Sequence, residues 1–505
     1  MWASIRNQPL FLLLMGISAV SMYVPAFHAL VLKEHFEARA FFYSGTLFLL
    51  LVSLIGLAML GRKRHRGAMG DLLALFACFS LLPVMLAVPF HEAVQTTSFL
   101  NAYVEMVSSL TTTGATLFDA DRLTATQHLW RAQVGWMGGL LMWVAAAAIL
   151  APLNLGGFEV TASAEPGQGD SLDMGLDAAN PQRRILRITS QLFPIYVGLT
   201  LALWIMLVIS GDTPLVAICH AMSVMATSGI SPVGGAEMAQ SGIPGEAVMA
   251  LFMLFALSRL TFSSDTITTA RRGIHHDPEF RLGLVLVVCV PLLLFLRHWV
   301  GTFEGENNGD GFLMALRALW GGVFTTLSFL STTGFESAEW ATAQNWSGLK
   351  TPGLIFLGLA LIGGGVATTA GGVKLLRVWA LYLNGLREME RLVHPSSVGR
   401  SGGYSRRLRK QGAYIAWIFF MLFALSISAF TVAFSGLGLD FENAIILSIS
   451  ALSTTGPLIG LAPEDPISLL SLGAAAKAVF CAGMVLGRLE MLAIIALLTS
   501  DVWRS

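Results

Sequence analysis

Four short stretches of the chain share one ending: Leu110-Thr-Thr-Thr-Gly114, Ala226-Thr-Ser-Gly229, Ser331-Thr-Thr-Gly334 and Ser453-Thr-Thr-Gly456. Their glycines lie 115, 105 and 122 residues apart. Each closes a moderately apolar run, near 97–110, 214–227, 314–331 and 441–453, shorter than the roughly 20 residues that one bilayer crossing needs. Around these runs lie ten longer apolar segments, near 9–32, 41–60, 72–90, 127–150, 185–209, 245–264, 282–300, 351–383, 413–435 and 468–499. Every copy sits in the same frame: a spanning segment, a half-helix that dips in and returns, the Thr/Ser-Gly element, and a second spanning segment. This frame predicts an all-α integral membrane protein, with two N-terminal helices and four helix-pore-helix repeats in pseudo-fourfold symmetry. The expected units are 1–66, 67–152, 153–275, 276–395 and 396–505.

Composition points the same way. Of 505 residues, 55% are hydrophobic and 12% are Asp, Glu, Lys or Arg, against about 25% charged in soluble domains. An ordinary soluble protein is excluded. Thirty-one basic residues balance thirty-one acidic ones, so net charge points to no nucleic acid and charge must be read by location. The connections 61–70, 182–187, 271–281 and 387–410 hold seventeen Lys and Arg, while the intervening ones hold few and 304–310 is acidic. The positive-inside rule then places both termini in the cytoplasm and lets the dipping runs enter from the outer face. The stretch 9–32 reads as a retained helix, not a cleaved leader. Cys78, Cys219, Cys289 and Cys481 stand apart in separate apolar segments and read as buried structural thiols.

A single Ser-Thr-Thr-Gly would be read as a helix C-cap with glycine at C′. Four copies in one topological frame call for a shared axis. Irregular backbone is tolerated at membrane depth only where it is buried in protein or lines a watery cavity. A short extended run before glycine can aim carbonyls at that axis, and rings of carbonyls replace the hydration shell of a large monovalent cation. The partly negative C-terminal ends of the half-helices favour cations. The candidate filter is Thr112, Thr113, Gly114, Thr227, Ser228, Gly229, Thr332, Thr333, Gly334, Thr454, Thr455 and Gly456.

The segment 351–383 is longer than one crossing and carries Gly363, Gly364, Gly365, Gly371 and Gly372 around Thr368 and Thr369. These glycines predict a broken helix with a loop beneath the filter. Ionisable residues inside a membrane are functional candidates by default, here Lys374, Lys477, Arg488 and Glu490. Glu105, Arg131, Arg259 and Asp265 read as structural pairings.

With these residues in place the chain resembles the bacterial TrkH/KtrB family of potassium uptake subunits, within a superfamily that includes fungal Trk and plant HKT proteins. The likeness covers nearly the whole chain. It rests on the four filters, Trp130-Arg131 through Gly138-Gly139, His276-Asp-Pro-Glu-Phe-Arg281, Gly363 through Lys374, His394-Pro395 and Leu486-Gly-Arg-Leu-Glu490. The two extra N-terminal helices are similar to the TrkH branch. Departures are Thr227-Ser-Gly-Ile-Ser, where the family often has a second Gly and Phe, and Thr454-Thr455, where TrkH proteins often carry Asn and Met. Serine in place of the first filter glycine resembles the sodium-permeable plant members, so Gly114 argues for potassium.

The resemblance implies that the loop from Gly363 to Lys374 is a gate and that Arg488 stands in the pore beside it. It also implies a homodimer in a bacterial inner membrane, with a cytosolic, TrkA-like ring of nucleotide-binding regulatory subunits. No organic cofactor is expected in this chain: 363–374 fits neither a dinucleotide fingerprint nor a P-loop. The expected function is potassium translocation without catalysis, either passive or coupled to protons or sodium. An intramembrane enzyme is the rival from another class, but it lacks an H-E-x-x-H motif and a facing carboxylate pair, and His275 and His276 fall in a connection. A purely structural scaffold leaves the four elements unexplained.

Overall fold

The computed structural model describes residues 9–59, 68–151, 155, 181–258, 277–301, 311–349, 352–394 and 410–489. Over these residues the chain is all-helical, and eight helices are long and apolar enough to cross a membrane. Helices α1 (Leu10–Ser21) and α2 (Tyr23–Val31) form one span, and α3 (His35–Ala58) returns. The first repeat follows as α4 (Ala68–Ser80) and α5 (Leu82–Val94), α6 (Phe99–Leu110) and α7 (Ala125–Ala145). The second is α8 (Pro181–Ile209), α9 (Pro214–Ala226) and α10 (Gly242–Met253). The third holds α11 (Pro278–Gly301), α12 (Gly311–Leu330), α13 (Trp340–Ser347), α14 (Gly353–Ile362) and α15 (Leu375–Val393). The fourth is α16 (Lys410–Gly436), α17 (Phe441–Ser453) and α18 (Ala474–Leu489).

Three segments differ from their sequence reading. The third dipping run extends upstream through Gly311, Phe312 and Leu313, so α12 has 20 residues and is itself long enough to span. The segment expected over 245–264 ends early: α10 tightens into a 3₁₀ turn at Leu254–Leu257, and Ser258 is extended. There Ala256 O accepts the Gly365 N–H at 2.9 Å, which ties this turn to the segment after α14. The segment over 468–499 opens with a 3₁₀ turn at Leu469–Ser471 and becomes α-helical only at Ala474. Its end, with Glu490, lies outside the described residues, as do Arg259, Asp265, His275, His276, Pro395, the acidic run 304–310 and most of the basic connections.

Burial fixes the N-terminal pair onto the first repeat. Glu37 accepts hydrogen bonds from Thr124 Oγ1 (2.9 Å) and Gln127 Nε2 (3.0 Å), Gln133 Nε2 donates to Ser21 O (2.9 Å), and Phe41 meets the fully buried Trp130 edge-on. The outer faces of α3, α8, α11 and α16 expose large apolar side chains such as Leu54, Ile205, Leu293 and Leu425, as a lipid-facing surface does. Cys289 departs from its expected burial and is exposed on α11, whereas Cys78, Cys219 and Cys481 are buried. Arg131 and Glu105, both buried, form an ion pair at 2.6 Å.

Candidate functional site

The four half-helices α6, α9, α12 and α17 end in the same way. At each end the residue two before the glycine is a threonine in the left-handed region: Thr112 (φ 55°), Thr227 (φ 51°), Thr332 (φ 59°) and Thr454 (φ 54°). Its N–H bonds three residues back and the next N–H bonds five back, as in Thr112 to Ser109 O and Thr113 to Ser108 O. This pair of bonds is a Schellman motif, and it recurs in all four repeats. The motif relocates the cap expected at glycine: threonine occupies C′, and glycine follows two positions on. A β-branched residue at positive φ is strained by about 1–3 kcal/mol, and four equivalent strained positions mark a shared requirement.

The four glycines close a ring. A Cβ on Gly114 would overlap the Ser228 carbonyl, one on Gly229 would overlap Thr333 O, and one on Gly334 would stand 2.8 Å from Pro457 Cγ. One on Gly456 would overlap Ala115, and the Gly456 N–H donates to Thr113 O at 2.6 Å. The first element thus meets the second, the second the third, the third the fourth and the fourth the first. Gly114, Gly229 and Gly334 also have positive φ, whereas Gly456 does not, so there glycine is required by close approach alone.

Sequence reading missed the residues that hold the returning strand. Six positions before each glycine stands a serine: Ser108, Ser223, Ser328 and Ser450. Each backbone carbonyl takes the second Schellman bond. The hydroxyls reach the Thr-x-Gly ends themselves: Ser108 Oγ donates to Ala115 O (2.6 Å), Phe335 N to Ser328 Oγ (2.6 Å), Ser450 Oγ to Thr455 O (3.0 Å) and Ser228 Oγ to Ser223 Oγ (3.2 Å). Aligning the repeats over seven residues instead of four exposes this signal. Nine before the glycine, Glu105 and Thr325 accept the N–H groups of Leu117 (2.9 Å) and Ser337 (3.2 Å), and His220 bonds Ser231 Oγ (2.8 Å). Glycines of the inner helices allow close packing here: Gly138 of α7 lies against Leu110 O, and Gly487 of α18 against Leu452 O.

Below the ring runs the segment between α14 and α15. Gly363 (φ 71°) ends α14, and Val373 N and Lys374 N bond back to Leu361 O and Ile362 O, both at 2.9 Å, which closes a loop of 363–374. The loop touches three of the four elements. Thr369 Oγ1 donates to Met225 O (3.3 Å), Gly371 N to Thr332 Oγ1 (2.8 Å), and a Cβ on Gly371 would overlap Ser453 O. Arg488, 2% exposed, reaches in from α18 and donates from Nη1 to Thr369 O at 2.6 Å. Thr368 Oγ1 bonds Gly365 O inside the loop, and Lys374 Nζ bonds Ala370 O. On the far side Val366 N donates to Glu279 Oε1 (3.3 Å), while Asp277 accepts from Ser258 Oγ and, at 3.2 Å, from Glu279 N. The Asp-Pro-Glu run thus brackets the loop and the end of the second repeat. Lys477 is apart from all of this, bonded to Asn101 Oδ1 (2.9 Å) and Leu470 O (3.0 Å).

At the opposite end of the ring, two residues past Gly334, is Glu336. Burial pushes its carboxyl up to about 7, and the nearby charge of Glu237 adds to the rise. Burial also raises Glu237, with Glu246 contributing.

Comparisons with known proteins give the family of the chain. The model of the TrkH family, described as cation transport protein, matches residues 37–502. The chain is 30% identical to the Trk system potassium uptake protein TrkH of Vibrio parahaemolyticus, over 98% of both chains. It is 27% identical to that of Escherichia coli K12, over 97% of this chain and 98% of the relative. The crystal structure of the potassium transporter TrkH from Vibrio parahaemolyticus superposes with a TM-score of 0.79 over all of both chains, at 26% identity. By sequence and by fold, this multi-pass membrane chain belongs to the TrkH family of cation transport proteins.

Proposed function

We propose that the chain is the ion-translocating subunit of a Trk-type potassium uptake system in a bacterial inner membrane. Potassium passes through the ring formed by Thr112-Thr113-Gly114, Thr227-Ser228-Gly229, Thr332-Thr333-Gly334 and Thr454-Thr455-Gly456, and the loop 363–374 with Arg488 gates it. The observation that carries this reading is the fourfold recurrence of a strained Thr-x-Gly end, closed glycine to neighbour around one ring. A helix cap needs no such closure, whereas a carbonyl filter does. Half-helix C-termini converging there favour a cation, and Arg488 in contact with the loop supplies a positive charge that opposes cation passage while the loop is in place.

The work done on the ion is electrostatic: an inward-negative potential contributes about 2.3 kcal/mol per charge per 100 mV, so no chemical step is assigned to this chain. Both termini face the cytoplasm, the chain works as a homodimer, and a cytosolic ring of nucleotide-binding subunits acts on the gate from that side. The test is rubidium or potassium uptake into liposomes holding the purified chain, with sodium and lithium as competitors and a proton-sensitive dye inside. Potassium-selective uptake driven by voltage alone supports the proposal; uptake that needs a proton or sodium gradient replaces it with symport.

A further inference from the structure

The four left-handed threonines share a backbone position, yet their hydroxyls have different partners. Thr227 Oγ1 donates to Ala226 O at 2.8 Å, and Thr332 Oγ1 accepts the Gly371 N–H at 2.8 Å. Thr112 Oγ1 and Thr454 Oγ1 are buried and have no hydrogen-bond partner among the described residues. Leaving a buried hydroxyl unpaired is costly, and this is incurred twice in one ring. Such oxygens are ready ligands for a cation at the inner end of the filter.

We propose that the intramembrane loop closes the pore by competing for this ring: the Gly371 N–H takes the Thr332 oxygen that a cation leaving the filter would use. The proposal rests on the filter reading above and deepens it. Gly371 is the residue the geometry requires at this point, since any Cβ there would overlap Ser453 O and the Thr454 hydroxyl. A backbone N–H carries a partial positive charge, so it occupies an oxygen site as a cation would. The loop is fastened a residue or two away by Thr369 Oγ1 to Met225 O and by Arg488 to Thr369 O. Beside Thr227, Thr368 and Thr369 lies a small cavity of about 20 Å³, walled by Trp143, Tyr196 and Phe252, so the loop is not tightly packed on that side.

Two ligands that compete for one oxygen are thermodynamically linked. Potassium at the inner ring and the seated loop exclude each other, so raising potassium on the loop side shifts the loop toward release. The selectivity filter is then also the sensor that its gate reads.

Thr332→Val removes the acceptor at nearly constant volume, Thr332→Ser keeps it, Thr112→Val removes an equivalent hydroxyl that the loop does not touch, and Gly371→Ala unseats the loop by its added Cβ, with no substitution among the ring residues. Each variant is reconstituted and read for flux at low loop-side potassium, for the rise of flux as that potassium increases, and for the potassium-to-sodium permeability ratio. The expected result is a severalfold higher basal flux in Thr332→Val and Gly371→Ala, with the potassium-dependent rise lost. Thr332→Ser keeps both properties, and Thr112→Val lowers flux and permeability ratio together. If Thr332→Val and Gly371→Ala keep the basal flux and its potassium dependence while Thr112→Val lowers the ratio, the competition is overturned and the filter stands. If neither threonine-to-valine change alters flux or ratio, the filter reading falls and the proposal with it.

Discussion

Ser328 shows how much of the proposed filter rests on side chains outside it. Its hydroxyl accepts the Phe335 N–H at 2.6 Å in a fully buried setting, so Ser328→Ala leaves that N–H unpaired at a cost of about 1–3 kcal/mol. We expect a lower unfolding temperature and a reduced potassium-to-sodium ratio, measured on the same reconstituted protein; a variant with only the first change would make the serine structural. The mouth offers a second residue test. Because Glu336 titrates near 7, it is ionised above that pH and attracts cations, and protonation below it removes the charge. Flux should fall as pH on that side drops from about 8 to 6, and Glu336→Gln should flatten the profile at the lower level. The filter glycines and threonines were legible because they recur. The serines recur equally and were missed because the repeat was aligned over too short a window. That threonine, not glycine, takes C′ was not legible, since propensity places glycine there and only the ring contacts override it.

At the scale of elements, the loop between α14 and α15 was legible in five glycines that no continuous helix would carry. Its fastenings were not, because spacing does not say which N–H meets which acceptor. Glu279, from a motif that the sequence offered only as a likeness, proves to accept the Val366 N–H. Shortening the loop at Gly363–Gly365 should raise basal flux severalfold, as should neutralising Arg488, whose guanidinium bonds Thr369 O; unaltered current in a folded Arg488 variant would leave that residue to helix packing. Glu279→Ala should raise flux in the intact chain and add nothing once the loop is shortened, because it acts through the loop. Additive effects in the double variant would place Glu279 elsewhere. The length of α12 escaped the sequence reading for a related reason: Gly311, Phe312 and Leu313 extend the helix upstream, while its end at Leu330 stays in register with the other three.

For the whole molecule, the account joins two asymmetries to one near-symmetric ring. The N-terminal pair docks on the first repeat, and the loop 363–374 interrupts the third, yet all four repeats deliver the same Thr-x-Gly end. Under the proposed passive translocation, a 100 mV potential supports an accumulation of about 50-fold for a monovalent cation, and measured uptake should stop near that ratio. The central claim is that the ring discriminates between cations. Its most direct test is the potassium-to-sodium permeability ratio of reconstituted wild type, Gly114→Ser and Gly334→Ser. Serine at 114 drives Cβ into the Ser228 carbonyl, and serine at 334 meets Pro457 at a positive φ. The ratio should fall in both variants, further at Gly114, where backbone rather than a proline ring must give way; an unchanged ratio in two folded variants would contradict the filter.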